Sequence, residues 1–135
     1  HAGEQMEVVR WISAMNRRYP GFAIAYDGFN TPYGFMGPHF ANTVRYLSPD
    51  GDSEGSWAGR RYRGPMLYGE PGPWLSLLTS QSIDIVIMRG QNGRFRTPDE
   101  WLCTRTDYVL AYRGRIFHVW IRAATLERLL DAGAI

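Results

Sequence analysis

The run Ser82-Ile83-Asp84-Ile85-Val86-Ile87-Met88 constrains the fold more than any other part of the chain. A short stretch of β-branched and apolar residues of this kind reads as a buried strand, and one this apolar is expected at the centre of a sheet. Asp84 is its sole interruption. In an extended chain its side chain shares a face with Ser82, Val86 and Met88, opposite Ile83, Ile85 and Ile87. A carboxylate held in a core requires a partner, because an unpaired buried charge is strongly disfavoured. Arg122, Arg96 and Arg45 are the candidates, unless Asp84 sits at an edge or on the surface.

The remaining elements follow from period and punctuation. Residues 4–18 place Val8, Ile12 and Met15 at i, i+4 and i+7, with Glu4 and Glu7 in the first turn and Arg17 and Arg18 in the last. That is a helix, and Pro20-Gly21 ends it. Phe22 to Tyr26 is a buried strand closed by Asp27-Gly28. Residues 28–41 hold glycines and prolines among aromatic side chains, which excludes regular structure and suits a loop that packs on the core or lines a site. Residues 42–47 (NTVRYL) form a strand, and the turn formers of 48–52 send it into a hairpin with a returning arm near 57–67. A short helix is expected around Trp74–Leu78, started by Pro73. Asn92-Gly93 offers a hairpin turn toward Phe95. Thr97-Pro98-Asp99-Glu100 reads as a cap and first turn leading to Trp101. Residues 105–122 (RTDYVLAYRGRIFHVWIR) make a hairpin turning at Arg113-Gly114. In it Tyr108, Leu110 and Tyr112 share one face, and the second strand is covered on both faces. A C-terminal helix over 125–131, ended by Gly133, presents Leu126, Leu129 and Leu130 as its buried stripe.

Together these predict one α+β domain spanning residues 1–135, with a mixed or antiparallel sheet, an N-terminal helix, a short middle helix and a short C-terminal helix. A chain of 135 residues can close a core without disulfides. Its composition, 44% hydrophobic and 21% charged, is that of a globular protein. No apolar run reaches the roughly 18 residues of a membrane span, so no membrane association is expected, and the sequence points to a cytoplasmic protein. The single cysteine, Cys103, excludes an internal disulfide and is expected to be buried as a small hydrophobe. His1, His39 and His118 show no metal-ligand spacing, so no histidine metal site is expected. His39 lies in an aromatic loop, whereas His118, between Phe117 and Val119, reads as a packed, hydrogen-bonded core histidine. Neither a Walker-type loop nor a dinucleotide fingerprint is present.

The succession of Asp107, a strand, a glycine turn, a second strand and Trp120-Ile121-Arg122 resembles the catalytic hairpin of the PD-(D/E)XK nuclease superfamily. There an aspartate opens the hairpin and an acid-x-lysine triplet closes it, so two carboxylates on one face hold a divalent ion while the lysine orients water. The N-terminal helix with Glu4 and Glu7, followed by FAIAY, is similar to that superfamily's opening. The resemblance carries over cleanly only at Asp107. Trp120 stands where the second carboxylate belongs and Arg122 where the lysine belongs, and neither side chain can take over that chemistry. An active nuclease would therefore need Asp84, Asp107 and Glu7 in an unorthodox acidic site, with Mg or Mn as cofactor. Apart from that alternative, no cofactor or metal is expected. In the structural alternative Asp107 caps a strand and Trp120 fills the core.

All 15 basic residues are arginine, for a net charge of +2. A G+C-rich coding sequence accounts for such a bias without any ligand. Arginine is also the side chain best suited to planar recognition of phosphate. The stretch Gly59-Arg60-Arg61-Tyr62-Arg63-Gly64 sets three arginines around a tyrosine, the pairing of phosphate grip and base stacking used on flexible nucleic acid. Arg45 on the facing strand would extend it. The same arginines would also suit solubility and pairing with Asp50, Asp52 and Glu54. The sequence thus points to a nucleic-acid-binding domain contacting phosphate through Arg45, Arg60, Arg61 and Arg63, with Tyr62 for stacking. Two alternatives stand beside it: the metal-dependent nuclease, and a small module whose partner is another protein, of the immunity, inhibitor or phage accessory type.

Overall fold

The computed structural model describes residues 2–27, 32–37, 41–47, 49, 70–90 and 92–135. Helix α1 (Ala2–Asn16) leads into strand β1 (Ala23–Asp27), a 3-10 turn (Pro32–Met36) and strand β2 (Thr43–Tyr46). Helix α2 (Pro71–Ser80), strand β3 (Ile85–Arg89) and helix α3 (Thr97–Arg105) follow. The hairpin β4 (Tyr108–Arg113) and β5 (Phe117–Arg122) and the helix α4 (Ala123–Asp131) complete the order. The five strands form one mixed sheet in the order β2-β1-β3-β5-β4. β1 runs parallel to both β2 and β3, while β5 is antiparallel to both β3 and β4. The fold is α+β, as the sequence implies.

Helices cover both faces of this sheet, which is why β3 and β5 are buried on both faces along nearly their whole length. On one face Ile24, Ile85, Ile87, Val119 and Ile121 pack under Val8, Ile12 and Met15 of α1 and Leu129 of α4. On the other, Ala25, Val86, Met88 and Trp120 meet Trp74 and Leu78 of α2 and Leu102 of α3. Val8, Ile12 and Met15 are each at most 1% exposed, and burying such side chains contributes about 1.5–3 kcal/mol apiece. Polar clasps fix the layers. Asn16 and Asn42 exchange side-chain hydrogen bonds at 2.8 and 2.9 Å, and Asn42 also accepts from Phe22 N and donates to Phe35 O, so one asparagine ties α1, the 3-10 turn and the sheet together.

Several expectations change. Residues 42–47 do contain a strand, β2, which pairs in parallel with β1; the returning arm expected to complete a hairpin with it falls outside the described residues. Asn92 and Gly93 do turn, with φ of 52° and 80°. The chain beyond them enters α3 rather than a strand, because the carboxylate of Asp99 accepts the backbone N–H of Arg96 at 2.9 Å and starts the helix there. The middle helix runs longer than expected, from Pro71 to Ser80. The hairpin carries a bulge between Leu110 and Tyr112. An extra residue reverses facing, so Tyr108 and Leu110 join the α2/α3 side whereas Tyr112 joins the α1 side. Cys103 is exposed, since α3 directs Leu102 inward and its neighbour outward. In α4, Leu130 is 57% exposed and Thr125 takes a buried position in its place.

Candidate functional site

Asp84 has the partner that its burial demands. Its Oδ1 accepts from Arg122 Nη2 at 2.9 Å and from Thr125 Oγ1 at 2.6 Å, and its Oδ2 accepts from Ala23 N at 2.9 Å. Three donors leave this carboxylate little capacity for a metal ion. Asp107 is exposed and its backbone carbonyl receives Ala123 N at 2.8 Å. Asp84 and Asp107 both lie near Tyr108, whereas Glu7, exposed on α1, lies near Tyr112. Tyr108 and Tyr112 are separated by roughly 13 Å of strand, so Glu7 is at the opposite end of the hairpin from the two aspartates. Among the described residues no three His, Cys, Asp or Glu side chains come together in a way that could hold a metal ion. Arg45 is exposed on β2 and donates to Gln81 Oε1 at 3.2 Å. Arg60, Arg61, Tyr62, Arg63 and His39 lie outside the described residues.

A buried polar layer sits under the N-terminus of α3. Arg96 pairs with Asp27 at the end of β1, 3.0 Å apart, with side-chain exposures of 8% and 1%. Beside them Asp99 is wholly buried. Besides Arg96 N, it accepts from Trp120 Nε1 at 2.8 Å and from His118 Nδ1 at 3.2 Å. The carboxylate makes Nδ1 the donor, which leaves His118 Nε2 without a hydrogen-bond partner among the described residues. The ring is fully buried, edge-on to Phe95 and against Gly90, where an added Cβ would stand 3.0 Å from Nε2. His118 is thus the packed, hydrogen-bonded histidine that the sequence suggests. Trp120 fills the core and gives its one N–H to Asp99.

The feature that sequence reasoning missed lies at the end of β3. Here the ladder between β3 and β5 continues past both strands: Gly90 N donates to Ile116 O at 2.6 Å and Gly93 N to Arg115 O at 2.9 Å. Two arginine-flanked glycine turns, Arg89-Gly90 to Gly93-Arg94 and Arg113-Gly114-Arg115, are thereby held side by side. Arg113 braces them, donating from Nε to Gly93 O at 3.1 Å and lying 4.3 Å over the ring of Phe95. The result is an open cleft of about 1080 Å³ lined by Glu4, Arg89, Gly90, Asn92, Arg94, Arg115 and Ile116. Among the described residues, the side chains of Arg94 and Arg115 make no hydrogen bond or ion pair and remain available to a ligand. Among the described residues Glu4 is the one acid on this wall, and its carboxylate is taken up by backbone N–H groups: Oε1 accepts from Arg115 at 2.8 Å, and Oε2 from Ile116 and Phe117 at 2.7 Å each. The repeated arginine-glycine turn was the available signal, but only the antiparallel pairing of β3 with β5 shows that the two turns meet.

A second groove of about 810 Å³ runs between α2 and the start of β4 and includes Asp107. It is rich in hydroxyls, yet those of Thr79, Ser80, Thr104 and Thr106 donate to backbone carbonyls within their own helices. Compared with protein-family models, with curated proteins and with solved structures, the chain finds no match.

Proposed function

We propose that this protein is a nucleic-acid-binding domain that grips the phosphate backbone in the cleft formed by Arg89, Arg94 and Arg115. The single observation that carries this reading is the convergence of three arginines on an open cleft where, among the described residues, the one lining carboxylate is already occupied by backbone donors. The turns that carry these side chains are bonded to each other through their backbones, and the planar guanidinium fork suits bidentate contact with phosphate. With a net charge of only +2, affinity for a polyanion has to come from such local clustering.

Topology also supports a role for the arginine-tyrosine stretch proposed from the sequence. Because β2 is parallel to β3, the chain leaves β2 at the end of the sheet where the cleft lies. It is tied there by Trp74 of α2, which donates from Nε1 to Leu47 O at 3.0 Å. The described residues that precede and follow the stretch containing Arg60, Arg61, Tyr62 and Arg63 thus meet near this end of the sheet. Arg45, on the outer strand, would contribute from the flank.

Fluorescence anisotropy with a labelled oligonucleotide at low and moderate salt tests the reading. The wild-type chain is expected to bind at low salt, and Arg89→Ala with Arg94→Ala and Arg115→Ala to weaken that binding by at least about tenfold. A wild-type chain that fails to bind at low salt, or a triple variant that binds as well as wild type, would refute it.

A further inference from the structure

The backbone N–H groups of Arg115, Ile116 and Phe117 all point at one carboxylate, 2.7 to 2.8 Å away. Consecutive N–H groups aimed at a single anion form a nest of the kind that proteins use for phosphate and other oxyanions. This nest opens on the cleft that also holds Arg89, Arg94 and Arg115. The anion now in it is Glu4, a partly exposed residue in the first turn of α1. Gly114 keeps the space clear, because a Cβ at that position would run into Glu4 Oε1. We propose that the nest is a subsite for a backbone phosphate, and that Glu4 fills it as an intramolecular stand-in which the phosphate displaces.

The substitution is chemically matched. Both groups present two oxygens to the same donors, and the entering phosphate also gains the neighbouring guanidinium groups, which can make bidentate contacts with it. The displaced carboxylate belongs to a helix terminus, the part of a helix that frays at least cost. Glu4 thereby sets a threshold: small anions compete poorly with a tethered carboxylate, whereas a polyanion held by several arginines overcomes it.

The inference rests on the cleft being the nucleic-acid site, and inorganic phosphate separates the two. In the full chain carrying Glu4→Ala, millimolar phosphate should move the amide resonances of Arg115, Ile116 and Phe117 and raise the melting temperature, while wild type responds weakly. Glu4→Gln, which keeps the side chain's size and loses its charge, provides the same comparison should the alanine variant fold poorly. Both variants should bind oligonucleotide about fivefold more tightly than wild type, since one repelling charge is gone. If wild type binds oligonucleotide through the cleft arginines but phosphate leaves the three amides of both variants unmoved, the subsite is wrong and the binding reading stands. If phosphate enters the nest of the variants while no oligonucleotide binds, the subsite stands and the nucleic-acid reading falls.

Discussion

Asp99 accepts hydrogen bonds from Arg96 N, His118 and Trp120 while wholly removed from water. Removing it strands three buried donors at once, and breaking a buried network of this kind costs about 3–5 kcal/mol. Asp99→Ala is therefore expected to lower the urea midpoint by a large fraction of the total stability, measurable by circular dichroism. Tyr108 makes a separate prediction. Burial pushes its hydroxyl well above the ordinary value of 10.0, reinforced by Asp107 and Asp84 and opposed by Arg122. The hydroxyl donates to Ile83 O, so the folded state holds the neutral form. A raised acid of this kind contributes stability that is intact below about pH 10 and is lost as pH rises further. Wild type should accordingly lose stability above pH 10 in urea titrations, and Tyr108→Phe should lose less over the same range. The Asp84–Arg122 pair was legible at this scale, because an aspartate inside so apolar a run has to find a cation. Cys103 was not legible: side-chain chemistry favours burial, but the orientation of α3 decides it.

At the level of elements, Asp84 again shows how the layers are joined. Its carboxylate binds the entry of β1 at Ala23, the end of β5 at Arg122 and the first turns of α4 at Thr125. Asp84→Ala should cost about 3 kcal/mol, loosening three junctions in one step. Hydrogen exchange would report it as lost protection at the start of α4 before β3 itself opens. The helices and strands with strong periodicity were readable for a simple reason: their apolar spacing is what the two-sided sheet requires. The errors arose where a local signal had two outcomes. Asn92-Gly93 fits a hairpin turn equally well whether a strand or a helix follows, and Asp99 decides for the helix. Tyr112 departs from its predicted face because a bulge is invisible to a strict alternation of side chains.

Across the whole molecule, the cleft depends on long-range pairing. Arg89 and Arg94 reach Arg115 only because β5 returns beside β3, and Glu4 joins them from the other end of the sequence. No sequence window contains this site, so reading from the residues favoured the compact stretch around Tyr62 over the assembled one. In the proposed mode of binding, cleft arginines rather than total charge hold the phosphates. Salt dependence of oligonucleotide binding tests it most directly, comparing the Arg89, Arg94 and Arg115 triple alanine variant with a control that removes the exposed Arg10, Arg105 and Arg128. The two variants have the same net charge. The prediction is that the cleft variant's plot of log K against log salt flattens by about one unit of slope per lost phosphate contact, while the control keeps the wild-type slope. Equal slopes in the two variants would contradict it.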